Sequence, residues 1–190
     1  MIVSSGKIFA ALAAALMLAG CQSTVAPLNL AAGSSIEAAG FQAVAYPPQF
    51  GSPGSALAGA AYQCPAEQCG GRTVVVIASA TPASINPNLT VEQAVRSNVL
   101  NPAGVRTLLQ KALIDKITAS NPGVSGSMTS FSIDPKSATQ RFTARIVGPD
   151  GAPAYMSGFG RFIGNETRFI IAISATPARA ARYARPAWLN

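Results

Sequence analysis

The chain has 190 residues, 49% of them hydrophobic and only 11% charged, with a formal net charge of +7 and no histidine. That length suits one domain of ordinary size, and so apolar a composition excludes a disordered chain. Without histidine, Ser-His-Asp and Cys-His catalysis are excluded, while a thinly charged surface suits a protein held at a membrane or against a partner.

The N-terminus reads MIVSSGKIFAALAAALMLAGCQS. One positive charge at Lys7 precedes an apolar run from Ile8 to Ala19. At about 1.5 Å per helical residue this run falls well short of the roughly 30 Å hydrocarbon core of a bilayer. The pattern is that of a cleaved export signal and not of a membrane-spanning helix. Leu18-Ala19-Gly20-Cys21 resembles the lipobox of bacterial lipoproteins. The resemblance implies cleavage before Cys21, a diacylglyceryl thioether on its sulfur, and acylation of the new amino terminus. Several acyl chains anchor stably where one does not. Gln22-Ser23 lacks the aspartate that commonly retains lipoproteins at the inner membrane, so the resemblance implies the outer membrane; the domain is expected to face the periplasm, with the inner membrane and the cell surface as the alternatives. In that setting the positive charge points away from nucleic acid. It points towards other envelope proteins, anionic lipid or lipopolysaccharide.

Residues 21–60 are expected to form a lipidated tether followed by an irregular segment. Gln22–Gly40 has no sustained period, and Phe41–Tyr62 is broken by Pro-Pro and Gly-Ser-Pro-Gly, with room for a short edge strand near Phe41–Tyr46. A single α+β domain is expected over 61–190.

The stretch YQCPAEQCGGR, at 62–72, carries Cys64 and Cys69. The spacing is not the C-x-x-C of thiol oxidoreductases. One pair of thiols cannot supply the four ligands of a structural zinc. In an oxidising compartment the expected outcome is a Cys64–Cys69 disulfide, worth about 2 kcal/mol on the chain-entropy estimate for so short a loop.

Thr73–Ser79 is a β-branched run with the character of a buried strand. Thr90 with Gln93 matches a capping box and opens a short helix. Asn101-Pro102 starts a second helix that runs to about Ala119, with Val105, Leu108, Leu109, Ala112, Leu113 and Ile117 in one stripe. The period then changes to two. Ser127–Ile133, Gln140–Val147, Ala154–Ile163 and Arg168–Ser174 are strand candidates separated by turn chemistry. A Gly164-Asn165 hairpin would set Arg161 opposite Arg168, and Gly158 and Gly160 opposite Ile171 and Phe169. Such bare glycines are a place for a helix to pack closely. Pro177–Asn190 is expected to be a short Ala/Arg helix broken by Pro186. Ser-Ala-Thr-Pro-Ala ends both Thr73–Ser79 and Arg168–Ser174, which suggests turns launched at one sheet edge.

The expected fold is therefore α+β: an antiparallel sheet of about five strands, two helices on one face, and a short C-terminal helix. The element order is similar to that of PsbP-like domains found in some small bacterial lipoproteins.

No constellation in the chain carries catalysis. The lysines Lys111, Lys116 and Lys136 have no serine three residues before them. Asp115, Asp134 and Asp150 fall on a helix or in turns, where short carboxylates have structural work. No cofactor is expected. The candidate contacts for anions or headgroups are Arg161 and Arg168, flanked by Phe159, and Arg179, Arg182 and Arg185 near Trp188. The expected function is a lipid-anchored envelope protein with a non-catalytic structural or assembly role. The alternative is a small-ligand or lipid-binding module with a pocket between sheet and helices.

Overall fold

The computed structural model describes residues 33–46, 57–81 and 88–189. Its centre is a seven-stranded antiparallel sheet in the order β1-β2-β3-β7-β6-β5-β4. The strands are β1 (Gln42–Val44), β2 (Leu57–Cys64), β3 (Thr73–Ala80), β4 (Ser125–Asp134), β5 (Thr139–Val147), β6 (Pro153–Ile163) and β7 (Glu166–Ser174). Two meanders, β1-β2-β3 and β4-β5-β6-β7, meet where β3 pairs with β7. The α+β class with an antiparallel sheet is as expected, but the sheet has seven strands and not about five. The added strands are β1, an edge strand that falls where the sequence left room for one near Phe41–Tyr46, and β2, which was expected to be part of an irregular segment.

Local chemistry explains why β2 is cryptic. Its sequence is LAGAAYQC, with no β-branched residue, so its strand character comes from pairing with β3 along Leu57–Cys64. An ideal Cβ on Gly59 would lie 2.8 Å from the Ala78 Cα and 3.0 Å from the Tyr46 ring. The small side chains thus let backbone and ring approach closely. Before β1, the short helix α1 (Gly33–Ala38) buries Ile36 completely, and Phe41 is 2% exposed. The fold therefore takes in described residues well before 61.

One sheet face packs under the helix that starts at Asn101. This helix runs as α4 (Pro102–Leu109), a π-helical stretch Gln110–Asp115, and α5 (Lys116–Ala119). Leu109, Leu113, Ile114 and Ile117 bury against Val76, Phe142, Met156, Ile171 and their neighbours. Asn101 accepts the Ala103 N–H, with Pro102 in the first helical turn. The helix closes on the sheet at Gly126, where a Cβ would meet Ile114 at 2.9 Å. It does not close over Gly158 and Gly160 as expected. There the Phe142 ring and the Gln140 side chain fill the space above the bare backbone.

The π stretch has a job at the sheet edge. A bulge between Met128 and Ser130 interrupts the β4–β5 register. The Met128 N–H donates to Gln110 Oε1 at 2.9 Å, and its carbonyl accepts from Arg106 at 3.0 Å. Two helix side chains thereby occupy backbone groups that an edge strand would otherwise offer to another chain.

Helix α3 (Val91–Arg96) is capped from a distance. Thr90 Oγ1 accepts from the Gln93 N–H, and the Gln93 side chain accepts from the Thr90 N–H, completing the expected capping box. The other two free N–H groups of the first turn go to the β6–β7 hairpin: Val91 N–H to Asn165 Oδ1, and Glu92 N–H to the Gly164 carbonyl. Gly164 takes a φ of 57°, as a glycine-first hairpin turn requires.

The opposite sheet face is covered over only part of its width. Here α1, the short α2 (Ala66–Cys69), α6 (Pro177–Tyr183) and a final 3-10 turn (Pro186–Leu189) shelter Tyr62, Val75, Ile77, Ile170 and Ala172. Phe41 makes edge contacts with Tyr183 and Trp188, at ring separations of 5.2 and 5.7 Å. Because β3 and β7 run antiparallel, with Thr73 opposite Ser174, their Ser-Ala-Thr-Pro motifs leave the sheet at opposite ends. They do not launch turns at one edge. The second motif caps α6, where Thr176 Oγ1 accepts the Arg179 N–H.

Candidate functional site

Cys21 and the segment that resembles a signal peptide lie outside the described residues. Among the described residues no helix is long and apolar enough to cross a membrane.

The stretch 62–72 ends one strand and starts the next. Cys64 and Cys69 are joined by a disulfide, with Cα atoms 6.0 Å apart. Between them α2 makes a single turn that ends at Gly70, whose φ of 65° suits a left-handed helix cap. Cys64 is fully buried and Cys69 nearly so. An exposed, activated thiol pair is thus not what this loop presents. A Cβ on Gly71 would run into the Arg179 guanidinium, so the bare backbone there is what lets α6 dock.

The five candidate arginines fall into two groups. Arg161 and Arg168 stand directly opposite each other on β6 and β7, in the expected register. Like charges so placed are unfavourable unless neutralised, and Glu166 Oε2 lies 3.3 Å from Arg168. Arg179, Arg182 and Arg185 turn to local partners. Arg179 lies over Gly71. Arg182 sits 5.5 Å from the centre of the Tyr183 ring. Arg185 stacks 5.5 Å from the centre of the Trp188 ring and donates to the Arg182 carbonyl. Trp188 is 4% exposed and belongs to the core, so it does not offer itself to a membrane interface. Phe159, expected to be an exposed flank of the anion site, is 5% exposed, with the Arg141 guanidinium 4.9 Å from its ring centre.

Arg141 belongs to a surface that individual motifs did not reveal. On the uncovered half of the opposite face, β4 presents Ser127, Ser130 and Ser132, which pair with Arg145, Thr143 and Arg141 on β5. All six are exposed. The Thr143 hydroxyl is 2.7 Å from Ser130 and 2.8 Å from Thr129, forming a short hydroxyl chain. Arg161 follows on β6, opposite Thr139 and diagonal to Arg141. Two acidic residues border the area, and both are engaged. Asp134 accepts from the Ser137 hydroxyl and the Lys136 N–H, which together hold its carboxyl below the usual range. Glu166 is turned to Arg168. Among the described residues no carboxylate lies within 4.0 Å of Arg141 or Arg145. The signal for this surface was present in the alternation of QRFTARIV, which puts Arg141, Thr143 and Arg145 on one face.

The carboxylates do not gather into a catalytic group. Asp115 accepts from Gln110 within the π stretch, and Asp150 accepts the Ala152 N–H in its turn. Asp134 and Asp150 flank opposite ends of β5. Among the described residues no cluster of His, Cys, Asp or Glu could hold a metal ion. Glu92 has its carboxyl lowered by the Gly164 N–H and by Arg96. Burial pushes the Tyr46 hydroxyl up to about 12, and that hydroxyl has no partner among the described residues. Chemically, the open face can bind anionic groups through guanidinium forks and hydroxyl donors. No protein-family model matches the chain, and no curated protein matches it in sequence.

Proposed function

We propose that this chain is a lipid-anchored protein of the bacterial cell envelope, held through Cys21 at the outer membrane and facing the periplasm, with a non-catalytic structural or assembly role. The observation that carries the proposal is the sequence of residues 1–21: one positive charge, a short apolar run, and small residues just before a cysteine. Two features of the fold support an interaction role over catalysis or ligand enclosure. Four carboxylates of the described residues, Glu92, Asp134, Asp150 and Glu166, are spent on a helix–hairpin contact, turns and an ion pair. The space above the glycines of β6 is filled by Phe142 and Gln140, which speaks against a ligand cavity there. Its partners are other envelope components, proteins or anionic glycolipid and lipid, met through a basic and hydroxyl-rich surface.

Two measurements test this. Labelled fatty acid should enter the wild-type chain, and Cys21→Ser should abolish labelling and release the protein from the membrane fraction. Unchanged fractionation of Cys21→Ser refutes the anchor. Cross-linking in the native envelope, followed by mass spectrometry, should recover defined protein neighbours, and their absence sinks the assembly role.

A further inference from the structure

We infer that α6 and the closing 3-10 turn form a second membrane contact, in which Arg182 and Arg185 bind anionic headgroups of the bilayer that holds the lipid anchor. The inference rests on the anchor proposed above and says which side of the domain meets the bilayer.

The tether decides the side. Gly33 follows Cys21 by twelve residues, a length of chain that reaches at most about 40 Å. The first described element, α1, is only six residues long, about 9 Å. It packs against the 3-10 turn, and Ile36 and Phe41 share one apolar cluster with Tyr183, Trp188 and Leu189. The chain therefore enters the domain beside α6 and the 3-10 turn. The layer nearest the point of attachment is this one.

Its charge suits an anionic surface. Arg182 and Arg185 are exposed, and among the described residues no carboxylate lies within 4.0 Å of either. Each guanidinium rests over an aromatic ring, Tyr183 or Trp188, at 5.5 Å from its centre. Arg185 uses only its Nε to bond the Arg182 carbonyl. Stacking fixes where a guanidinium sits and leaves in-plane N–H donors for a phosphate oxygen. The covering elements, residues 33–41, 65–72 and 176–189, carry Arg72, Arg179, Arg182 and Arg185 against Glu37 and Glu67, an excess of positive charge.

No large apolar side chain of this layer is exposed: Tyr183, Trp188 and Leu189 are buried, and the exposed Val99 and Leu108 belong to the α3–α4 segment on the other sheet face. The contact is thus electrostatic and at headgroup depth, where a basic patch supplements acyl chains. An acidic protein would offer the same charge, but the tether brings the bilayer itself to this side of the domain.

Trp188 is the chain's one tryptophan and lies in this layer, so it reports how near the layer comes to lipid. The test uses the lipidated protein in vesicles that carry a dansyl-headgroup lipid, and reads energy transfer from Trp188 to dansyl. Transfer should be greater in vesicles containing phosphatidylglycerol than in pure phosphatidylcholine, and should fall as salt is raised. Each arginine near an anionic surface shifts the docked-to-undocked ratio about fivefold, so Arg182→Gln with Arg185→Gln should shift it about 25-fold. That loss brings transfer down to the phosphatidylcholine level, with an unaltered melting temperature for either single variant. Leu108→Ser, on the helical layer, should leave transfer unchanged.

Equal transfer in the two kinds of vesicle overturns the inference, as does full transfer by the double variant. A fall with Leu108→Ser assigns the bilayer contact to the helical layer and also overturns it. Loss of transfer when polyglutamate is added at matched charge gives the arginines to an acidic protein instead. Any of these results with intact fatty-acid labelling of Cys21 refutes the headgroup contact and leaves the anchor standing, whereas absence of labelling refutes both.

Discussion

Gly158 gives a test in which two physical effects predict opposite signs. Its backbone lies outside the left-handed region, since it is absent from the positive-φ glycines, so alanine fits the conformation. On chain entropy alone, Gly158→Ala should stabilise the strand by about 0.5–1 kcal/mol. The new methyl, however, would enter the ring of Phe142, its cross-strand partner. Phe142 is 1% exposed and packed in the core, with Phe131 opposite it on β4. A ring so enclosed cannot swing away. Overpacking typically costs about 1–3 kcal/mol; at about 2 kcal/mol, the middle of that range, it outweighs the entropy gain and leaves a net loss of about 1–1.5 kcal/mol. In urea this is a fall in midpoint of about 0.5–1 M at unchanged slope. Phe142→Leu in the same chain should relieve the clash, so the double variant should be less destabilised than the sum of the singles. Equal or greater stability of Gly158→Ala, or strict additivity in the cycle, would refute the packing argument.

The hairpin-to-helix contact should show in pH dependence. The Glu92 carboxyl is held below its usual 4.5 by the Gly164 N–H and Arg96. A lowered folded-state value means stability present above the ordinary range and lost as pH falls through the lowered one. The melting temperature of wild type should therefore drop more than that of Glu92→Gln between pH 7 and pH 3, and parallel curves would remove the claim. Replacing Cys64 and Cys69 together by serine should cost about 2 kcal/mol in urea unfolding. Alkylation of the native protein without reductant should leave both cysteines unmodified, and modification of either contradicts the disulfide.

Much of the fold was legible where side-chain pattern and local backbone chemistry agree. The TVVVIAS run became β3, an inner strand flanked on both sides. Thr90 with Gln93, and Asn101 with Pro102, start helices as their cap chemistry demands. The Gly164-Asn165 turn fixed the β6–β7 register down to Arg161 opposite Arg168. Strand β2 was not legible, because alanine and glycine carry no strand preference of their own and its pairing is supplied by β3. The open cationic face was half legible. Alternation sorts Arg141 and Arg145 to one side of β5, but nothing local says which side a helix will cover.

By itself, then, the sequence determined the disulfide pair, the caps, the turns and the alternation of the C-terminal meander. Each depends on residues within a few positions of one another. Tertiary structure alone decided that Gly158 and Gly160 receive Phe142 and Gln140 rather than a helix, that Trp188 is buried against Phe41, and that α6 covers one half of the sheet and leaves the arginines of β5 in water. Those outcomes depend on which apolar surfaces meet over long sequence separations, and burial against a distant partner has no signature in a short window of residues.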